Sequence, residues 1–394
     1  MPLARQLQPK LSAWRRDLHR HPEIGYEEHR TSAIVAEHLQ QLGLNVQTGI
    51  GQTGVVALLE GKQPGPTIGL RADMDALPIQ DAKQVEYAST VPGKAHLCGH
   101  DAHTTMLMGA AQLLTDIGQP ECGNIKFIFQ PAEEGLAGAQ AMIRDGVLDN
   151  PAVDWITGLH VFPGLPVGEI SICKGAAFAS ADFFTITVHG QSGHAARPHE
   201  GVDAIAAAAQ MITALQNICS RMLNPLDTAV VSIGRIEGGQ MATALADQVQ
   251  MSGTVRTLSA SVRQQMPELM KRVLDGVASS FDAVVELDYR MSYPVVHNDS
   301  QLVDFLTRTC EQLPDGPQWT VMQPSTGGED FAFYAQQVPG AFFRLGTGNG
   351  SPEYTYPLHH PRFDLDEQAL PYGVAMLSAL ALQGLAVSQN VRDN

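Results

Sequence analysis

Basic residues are scarce in this sequence, which has neither a Lys/Arg-rich run nor a long apolar segment at its start. The 394 residues include 25 lysines and arginines against 41 aspartates and glutamates, giving a formal charge of −16 at pH 7. A surface this negative repels phosphate backbones, so we expect no nucleic-acid partner. Residues 1–16 alternate apolar and polar side chains and lack the apolar core of a signal peptide, so we expect no membrane association.

Cysteine is also rare. The five cysteines are odd in number and widely spaced along the chain: Cys98, Cys122, Cys173, Cys219 and Cys310. Such spacing is typical of free thiols in a reducing compartment and excludes a disulfide framework as the basis of the fold. We therefore expect a cytoplasmic protein.

The chain is longer than a usual single core, which predicts two domains. Short apolar runs alternate with segments of helical periodicity. The predicted strands are residues 67–70, 125–129, 155–159 and 341–345, and the predicted helices include 11–20, 27–42 and 104–117. Short buried strands between helices indicate an α/β sheet that is covered on both faces.

The middle of the chain has a different order of elements. Strands are predicted at 183–189, 228–236, 248–257 and 283–290, with helices at 202–222 and 259–279. The resulting β-α-β-β-α-β order is that of a ferredoxin-like unit. We therefore predict a domain of residues 182–293 inserted into a larger domain of residues 1–181 and 294–394, with the crossings near Ala181 and Tyr293.

A glycine-rich segment at 49–54, GIGQTG, matches the G-x-G-x-x-G pattern of dinucleotide sites. The residues that follow it, 55–59, form a β-type apolar run, whereas a dinucleotide site needs these glycines to open a helix. The segment is therefore interpreted as the turn of a β-hairpin.

Residue types that bind metals follow the predicted strands. They are Asp73 and Asp75 after residues 67–70, Glu133 and Glu134 after 125–129, His160 after 155–159, His359 and His360 after 341–345, and Cys98, His100 and His103 just before the helix at 104–117. Ligands of open α/β sheets bind at the carboxyl ends of the strands. These residues are therefore expected to meet at one edge and to form a metal site.

Each of these residues also has an ordinary structural interpretation. A single histidine is usually a surface or hydrogen-bonded residue, adjacent glutamates favour the first turn of a helix, and a free cysteine is often a small buried apolar residue. The two aspartates could lie in turns. Their coincidence at one edge is what favours the metal site over these separate explanations.

The mixture of thiolate, imidazole and carboxylate suits Zn²⁺, Mn²⁺ or a similar ion better than Ca²⁺ or Mg²⁺. Two such ions, roughly 3.5–4 Å apart, can activate a water held between them. Hydrolysis of an amide also needs a general base that passes a proton to the leaving nitrogen. Adjacent glutamates meet this need, because successive side chains project in different directions and only one of them has to bind metal.

Seven blocks of the sequence together resemble the signature of the hippurate hydrolase family, which includes the hydrolases of indoleacetic acid–amino acid conjugates. This family is part of a wider group of two-metal aminoacylases and carboxypeptidases. The blocks are RADMDALP at 71–78, CGHDAH at 98–103, QPAEE at 130–134, GLHV at 158–161, GHAARPH at 193–199, GEDF at 328–331 and LHHPRF at 358–363. They follow the family's order over nearly the whole chain.

The resemblance implies a metallopeptidase-like catalytic domain with a central mixed sheet and an inserted ferredoxin-like domain. It implies hydrolysis of N-acyl amino acids, with two divalent ions per subunit, Mn²⁺ or Zn²⁺ before Ni²⁺ or Co²⁺. The implied ligands are Cys98, which bridges the ions, and His100, Glu134, His160 and His359. Glu133 matches the general acid/base. A homodimer or homotetramer through the inserted domain is also expected.

The resemblance assigns further residues to the substrate and to ligand orientation. His194 matches a histidine that binds the substrate carbonyl. Arg256 is suited to binding a substrate carboxylate, although a structural salt bridge would explain it equally well. Asp75 and Asp101 are expected to orient metal ligands.

One position departs from the family pattern. Relatives carry Asn-Val-Ile-Pro-Asp after a Gly-Gly pair, whereas here Gly238 and Gly239 lead into TALAD at 243–247, and the hydroxyl of Thr243 replaces the amide. The departure leaves the choice of substrate open.

Two other functions compete with a metallohydrolase. In a metal-free cysteine amidase, Cys98 would be the nucleophile and His100 or His103 the base, but Glu134, His160 and His359 would have no role. A non-catalytic scaffold on an inherited fold would not explain why Glu133 and a full ligand set remain together.

Overall fold

The computed structural model describes the backbone of residues 1–392 and the side chains of residues 1–386. The strands, in chain order, are β1 (Asn45–Ile50), β2 (Gly54–Glu60), β3 (Gln63–Asp73), β4 (Cys122–Gln130), β5 (Trp155–Pro166), β6 (Glu169–Ile172), β7 (Gly175–Phe178), β8 (Ala181–His189), β9 (Ala229–Gly238), β10 (Gln248–Thr257), β11 (Val284–Tyr293), β12 (Val296–Asn298), β13 (Gln318–Val321) and β14 (Gly340–Gly348). The helices are α1 (Pro2–Gln6), α2 (Gln8–Arg20), α3 (His29–Gln41), α4 (His100–Ile117), α5 (Glu133–Leu136), α6 (Gly138–Arg144), α7 (Ala204–Asn217), α8 (Ala260–Ser280), α9 (Ser300–Gln312), α10 (Ala332–Ala335) and α11 (Leu370–Arg392).

The chain divides into two compact units. Unit 1 comprises Met1–Gly175, His297–Gln323 and Asp330–Asn394, and unit 2 comprises Ala176–Val296 with Pro324–Glu329. Unit 2 is thus longer than the predicted range 182–293, and it includes a segment that the sequence analysis assigned to the larger domain. The reason is backbone pairing, because Ser325 forms a parallel bridge with Phe178 and its carbonyl accepts a hydrogen bond from Ala179.

Eight strands of unit 1 form a mixed sheet in the order β1-β2-β4-β3-β5-β14-β6-β13. The neighbours β4, β3, β5 and β14 are parallel, whereas β1, β2 and β4 pair antiparallel. The four parallel strands contain the four predicted apolar runs, so the α/β class with a central mixed sheet is confirmed. Because they are parallel, their carboxyl ends lie at the same edge.

The hairpin prediction for the glycine-rich segment is also confirmed. Strands β1 and β2 pair antiparallel on either side of residues 51–53, and Val55–Ala57 of β2 are buried. No helix begins at these glycines, which excludes the dinucleotide interpretation.

Helix α4 begins earlier than predicted, at His100 instead of Thr104. Gly99 precedes it in the left-handed region, with φ 88°, and a Cβ there would lie 2.3 Å from Cγ2 of Val161 on β5. Only glycine therefore allows the chain to turn into the helix so close to β5. His100 and His103 lie on the first turn of the helix, where residues three apart share a face.

Unit 2 has the predicted β-α-β-β-α-β order, formed by β8, α7, β9, β10, α8 and β11. Its antiparallel sheet has the strand order β11-β8-β10-β9 of a ferredoxin-like fold. Alternate residues of β8 (Phe184, Ile186 and Val188) are buried in a core with α7 and α8. Asp203 and Ser259 cap the two helices by accepting hydrogen bonds from backbone amides of their first turns.

One apolar stretch among the described residues, Glu367–Ala386, is long enough to cross a membrane by length and composition. Of the apolar window that passes this test, 78% is buried inside the protein. Leu370, Val374 and Leu377 belong to the core of unit 1, so this stretch is used as a core helix.

A buried ion-pair network joins α2 to α4 and to the carboxy-terminal part of unit 1. The fully buried Arg15 donates from Nε to Asp101 (2.9 Å) and from Nη2 to Asp364 (2.7 Å). His19 Nδ1 lies 2.6 Å from the same Asp101 oxygen that Arg15 binds. Burial acts against ionised Asp101, but Arg15 and His19 hold its pKa well below the usual range.

We predict that Arg15→Met lowers the free energy of unfolding by roughly 3–5 kcal/mol, because it leaves two carboxylates buried without their cation. The adjacent residue provides a matched control. Arg16 binds Glu367 through two hydrogen bonds of 2.9 Å, but its side chain is half-exposed. Arg16→Met is therefore expected to cost only about 0–1 kcal/mol. Urea denaturation measures both, and equal losses would contradict this account of the network.

Candidate metal centre

Side chains from several elements of unit 1 meet at the carboxyl edge of its parallel strands. Asp73 ends β3 and Asp75 follows it. Glu133 and Glu134 follow β4 after a tight turn, and His160 lies within β5. The remaining residues come from α4, from the loop before it and from the loop before α11: His100, Cys98 and His359.

The thiol of Cys98 lies at the centre of the cluster. Its Sγ is 3.3 Å from His160 Nε2 and 3.3 Å from His359 Nε2. His359 Nε2 is in turn 3.3 Å from Glu134 Oε1. Bonds of about 2.3 Å to sulfur and about 2.0 Å to nitrogen place two ligand atoms of one tetrahedral zinc roughly 3.5 Å apart. These separations therefore fit atoms that share an ion.

Several overlapping groups of described residues have ligand atoms within 4.8 Å of one another, and three of them together contain the predicted ligands. They are Cys98–His100–His160, Cys98–Glu134–His359 and His100–Glu133–Glu134. All five predicted ligands and Glu133 are thus brought together. Cys98, His100 and Glu134 each belong to two of these groups, and the Cys98 thiol is the one that lies 3.3 Å from both His160 and His359, as a bridging ligand would.

The donor atoms of the cluster also fit a metal. His100 is 1% exposed, and its Nε2 has no hydrogen-bond partner among the described residues. The Oδ2 atom of Asp73 lies 3.8 Å from this Nε2 atom, which is too far for a hydrogen bond. A buried ring nitrogen with no partner costs free energy unless another group satisfies it. An ion in the surrounding set of thiol, carboxylate and imidazole groups would do so.

Hydrogen bonds outside the cluster fix the ring orientations. The Nδ1–H of His160 donates to the carbonyl of its neighbour Val161 (2.7 Å), which leaves Nε2 as the unprotonated atom facing Cys98. Asp75 accepts from Nδ1 of His100 (3.2 Å) with one oxygen and from the backbone N–H of Glu134 (2.9 Å) with the other. The prediction that Asp75 orients ligands agrees with this geometry.

Asp101 does not share this role, and its prediction needs correction. Its carboxylate accepts hydrogen bonds from Arg15, from the His19 ring and from the Ala102 amide, which are not candidate ligands. Although Asp101 is adjacent to His100, successive residues of a helix point about 100° apart. Asp101 therefore stabilises the start of α4 and does not hold a ligand ring.

The sequence placed Asp73 and His103 at the metal edge but gave no specific role to them or to Arg71. Asp73 binds Nδ1 of His103 (2.6 Å) and Nη1 of Arg71 (2.8 Å), and all three are buried. His103 Nε2 accepts the backbone N–H of Val161 (2.9 Å), which fixes the strand beside His160. His100 and His103 are three residues apart, which places both on one face when the helix begins at His100. Because the helix was predicted to begin at Thr104, the sequence did not indicate that His103 packs beside the cluster.

The electrostatic environment of the cluster is negative. Burial raises the pKa of the Cys98 thiol well above its ordinary value, and the carboxylates of Glu134 and Glu133 raise it further. Burial disfavours protonated His100, but Asp73 and Asp75 outweigh it and raise the pKa of this imidazole to about 10. Positive charge is therefore stabilised at this edge, as a cation site requires.

The two adjacent glutamates point in different directions, as predicted. Residues 132–135 break from helical geometry: Ala132 has φ 54°, Glu134 has ψ 77° and Gly135 has φ 81°. Glu134 turns toward His359, while Oε1 of Glu133 accepts the backbone N–H of Asp330 (3.3 Å). Glu133 is 7% exposed.

His194 and Thr243 belong to unit 2, where their two loops pair. The backbones of His194 and Ala244 form an antiparallel bridge, and the carbonyl of Thr243 accepts the N–H of Ala195 (3.0 Å). Nδ1 of the exposed His194 accepts the N–H of Ala196 (3.0 Å), so the ring proton lies on Nε2. Nε2–H is thus available to donate a hydrogen bond.

Arg256, on β10 of unit 2, is half-buried and forms no ion pair with any residue that the structure describes. The nearby Asp182 is bound by Arg263 through three hydrogen bonds. Burial lowers the pKa of Arg256, and Asp182 acts in the opposite direction. No ion pair of Arg256 is found among the described residues, and its role in binding a carboxylate stays a prediction.

Comparisons with known proteins agree with the fold and with the cluster. Residues 69–383 match the model of peptidase family M20/M25/M40. The chain is 41% identical to N-acetylcysteine deacetylase of Bacillus subtilis over 95% of this chain and 96% of that protein. It is 38% identical to IAA-amino acid hydrolase ILR1-like 4 of Arabidopsis thaliana over 94% and 84% of the two chains.

A solved structure is also similar. The YXEP protein of Bacillus subtilis, described as a dinuclear metal-binding peptidase, is 38% identical, with a TM-score of 0.86 over 97% of this chain and 99% of that chain. Matches at this identity and coverage show the family as well as the fold. The chain therefore belongs to peptidase family M20/M25/M40 and is a metal-dependent hydrolase of that family.

Proposed function

We propose that this protein is a two-metal amidohydrolase of the hippurate hydrolase type, which cleaves the amide bond of small N-acyl amino acids. The observation that carries this proposal is that two candidate ligand groups share one thiol, with the buried carboxyl of Glu133 beside them. Two relatives support the substrate class, because their names describe removal of an acyl group from cysteine and from amino acid conjugates.

In this proposal Cys98 would contact both ions, His100 and His160 would hold one of them, and Glu134 and His359 would hold the other. The ions are Mn²⁺ or Zn²⁺, with Ni²⁺ or Co²⁺ as alternatives, because these metals accept mixed sulfur, nitrogen and oxygen ligands. When bound, such ions supply Lewis acidity that polarises an amide carbonyl and lowers the pKa of water.

Glu133 acts as the general base and then as the general acid. Its carboxylate takes a proton from the attacking water and delivers it to the leaving nitrogen, so that the product is a free amine. Two features support this role. The break in the backbone gives Glu133 and Glu134 different partners, and Glu133 accepts the amide of Asp330.

His194 donates its Nε2–H to the substrate carbonyl oxygen as negative charge develops there. The support is its tautomer, which the Ala196 amide sets. We propose that His194 acts when unit 2 closes over the metals, through hinges near Ala181 and Tyr293. Domain closure of this kind also excludes water from the reacting groups.

Arg256 binds the carboxylate of the amino acid part of the substrate. A guanidinium forms paired, charge-assisted hydrogen bonds with a carboxylate, and Arg256 is half-buried without an ion-pair partner among the described residues. The hydroxyl of Thr243, on the loop that pairs with that of His194, is proposed to contact the substrate in place of the usual amide.

We further propose that the protein is a cytoplasmic homodimer or homotetramer assembled through unit 2. Several large apolar side chains of this unit are exposed, and apolar surface is a common feature of subunit interfaces. They are Leu226 at 91%, Met241 at 65%, Ile236 at 53% and Ile205 at 47%.

A substrate panel tests the proposed function. Metal-free protein is loaded separately with Mn²⁺, Zn²⁺, Co²⁺ or Ni²⁺ and mixed with N-acetyl, N-benzoyl and N-indoleacetyl amino acids, and released amine is measured. We expect hydrolysis of at least one class, its loss with a chelator and its return with metal. Activity that survives chelation but not iodoacetamide would instead indicate a cysteine amidase.

Cys98→Ser is predicted to lower the metal content at saturation, because a serine hydroxyl is a much poorer bridging ligand than a thiolate. Cys122→Ser is the matched control, since Cys122 lies at the start of β4, outside the three ligand groups. Elemental analysis of both variants measures the effect. Wild-type metal content and affinity in Cys98→Ser would rule out the bridging role.

Glu133→Gln and Glu134→Gln are predicted to separate catalysis from metal binding. Glu133→Gln keeps the metal but loses roughly two to four orders of magnitude in kcat, the contribution of a general base. Glu134→Gln loses metal affinity as well. Turnover and metal content are measured on the same samples. If Glu133→Gln retained wild-type kcat, the two roles would have been assigned wrongly.

His194→Ala is predicted to lower kcat by about 10²–10³-fold, the usual effect of losing one donor to a developing oxyanion. KM changes less than kcat, because the bond strengthens as charge develops, and metal content is unchanged. His199→Ala, in the same exposed loop, is the control. A His194→Ala variant with unchanged kcat, or one without metal, contradicts the role.

A further inference from the structure

A loop near the start of unit 1 contacts the turn that carries the two glutamates. We name residues 23–28 the supporting loop and residues 131–137 the acidic turn. The acidic turn holds two non-glycine residues in the left-handed region, Ala132 with φ 54° and Ala137 with φ 58°. This conformation is unfavourable for residues with a Cβ, and it persists only where neighbouring groups hold it in place.

The supporting loop makes three contacts with the acidic turn. Glu28 accepts the backbone N–H of Ala132 on Oε1 (2.8 Å), and the Tyr26 hydroxyl donates to the carbonyl of Leu136 (3.2 Å). A Cβ at Gly25 would lie 3.1 Å from Cα of Ala132 and 2.9 Å from Cδ1 of Leu136, so the loop and the turn are packed closely at this position. The loop therefore holds both halves of the turn.

The carboxyl of Glu28 is itself held in position. It is fully buried, and its Oε2 accepts the hydroxyl of Thr53 (2.5 Å), which comes from the glycine-rich hairpin between β1 and β2. The hairpin thus contributes to the metal edge, although it binds no nucleotide. Burying a carboxyl costs free energy, so the two hydrogen bonds are what explain its presence here.

The protonation of Glu28 does not remove the bond to Ala132. Burial raises the pKa of this carboxyl to about 7, against the Thr53 hydrogen bond and with a further contribution from Asp75. In the neutral form one oxygen still accepts the Ala132 amide, while the other can donate to the Thr53 hydroxyl. What the site requires is an acceptor oxygen at this distance, and a negative charge is not essential.

We propose that Glu28 is a positioning residue that fixes the acidic turn through the Ala132 amide and thereby directs the carboxyl of Glu133 toward the reacting groups. The inference rests on the proposed acid–base role of Glu133. Glu28 touches neither the candidate metal ligands nor the substrate, and its effect passes entirely through the backbone of residues 132–134. Glu134 also has a support in Asp75, which accepts its backbone N–H (2.9 Å), so metal binding is expected to persist when Glu28 is replaced.

Two substitutions of Glu28 separate the effect of the position of its acceptor oxygen from the effect of its negative charge. Glu28→Gln keeps an acceptor oxygen at the same distance, whereas Glu28→Asp keeps the charge but withdraws the oxygens by one methylene. We expect Glu28→Gln to retain most of kcat, and Glu28→Asp to lose about 10²-fold, the effect of displacing a reacting group by about 1 Å. KM and the metal content at saturation should stay near wild type. Glu27→Gln is the control, because Glu27 is exposed and pairs only with Lys94 among the described contacts.

Hydrogen exchange at the Ala132 amide gives a readout that does not depend on turnover. This amide should exchange slowly in the wild type, Glu28→Gln and Glu27→Gln, and faster in Glu28→Asp. Adding Ala132→Gly to Glu28→Asp should restore part of kcat, because glycine adopts a positive φ without the steric cost of a Cβ.

The reverse order of activities, with Glu28→Asp near wild type and Glu28→Gln impaired, would overturn the proposal. So would fast exchange at Ala132 in Glu28→Asp with unchanged kcat. If the wild type hydrolysed no N-acyl amino acid, the proposed function would fail. The exchange comparison would still decide whether Glu28 holds the turn.

Discussion

The arrangement of the candidate metal ligands depends on the two hydrogen bonds that the carboxylate of Asp75 accepts. One of its oxygens holds the ring of His100, and the other holds the backbone amide of Glu134. These residues come from α4 and from the turn after β4, which are far apart in the sequence. A single carboxylate just after β3 therefore sets the distance between two candidate ligands that no local structure could align.

The same principle recurs around the site. Asp73 fixes His103, whose other nitrogen holds β5 beside His160, while Arg71 neutralises Asp73 and also binds Asp330 (2.9 Å). Buried charges of this kind are stable only as complete networks, since the loss of one partner leaves another charge uncompensated. The fold thus stabilises a negative edge by surrounding it with fixed partners, and unit 2 holds the proposed substrate groups on a separate scaffold.

Sequence patterns predicted the parallel strands and the ferredoxin-like order because apolar periodicity and strand length are local properties. The same patterns predicted that Cys98, His160 and His359 lie at one edge, because the carboxyl ends of parallel strands lie at the same side of a sheet. The patterns did not predict the start of α4 or the left-handed conformation of Ala132. They also did not predict that Asp101, unlike Asp75, binds no candidate ligand. These features depend on tertiary contacts: Val161 against Gly99, Arg15 against Asp101 and Glu28 against the Ala132 amide.

The central claim is that two divalent ions lie at this edge and share the Cys98 thiol. Crystals of the protein loaded with Mn²⁺ or Zn²⁺, with diffraction recorded on both sides of the metal's absorption edge, test it directly. The account predicts two anomalous peaks roughly 3.5–4 Å apart, the spacing of two-metal hydrolytic sites, with Sγ of Cys98 between them. A single peak, or peaks away from Cys98, His160 and His359, would contradict it.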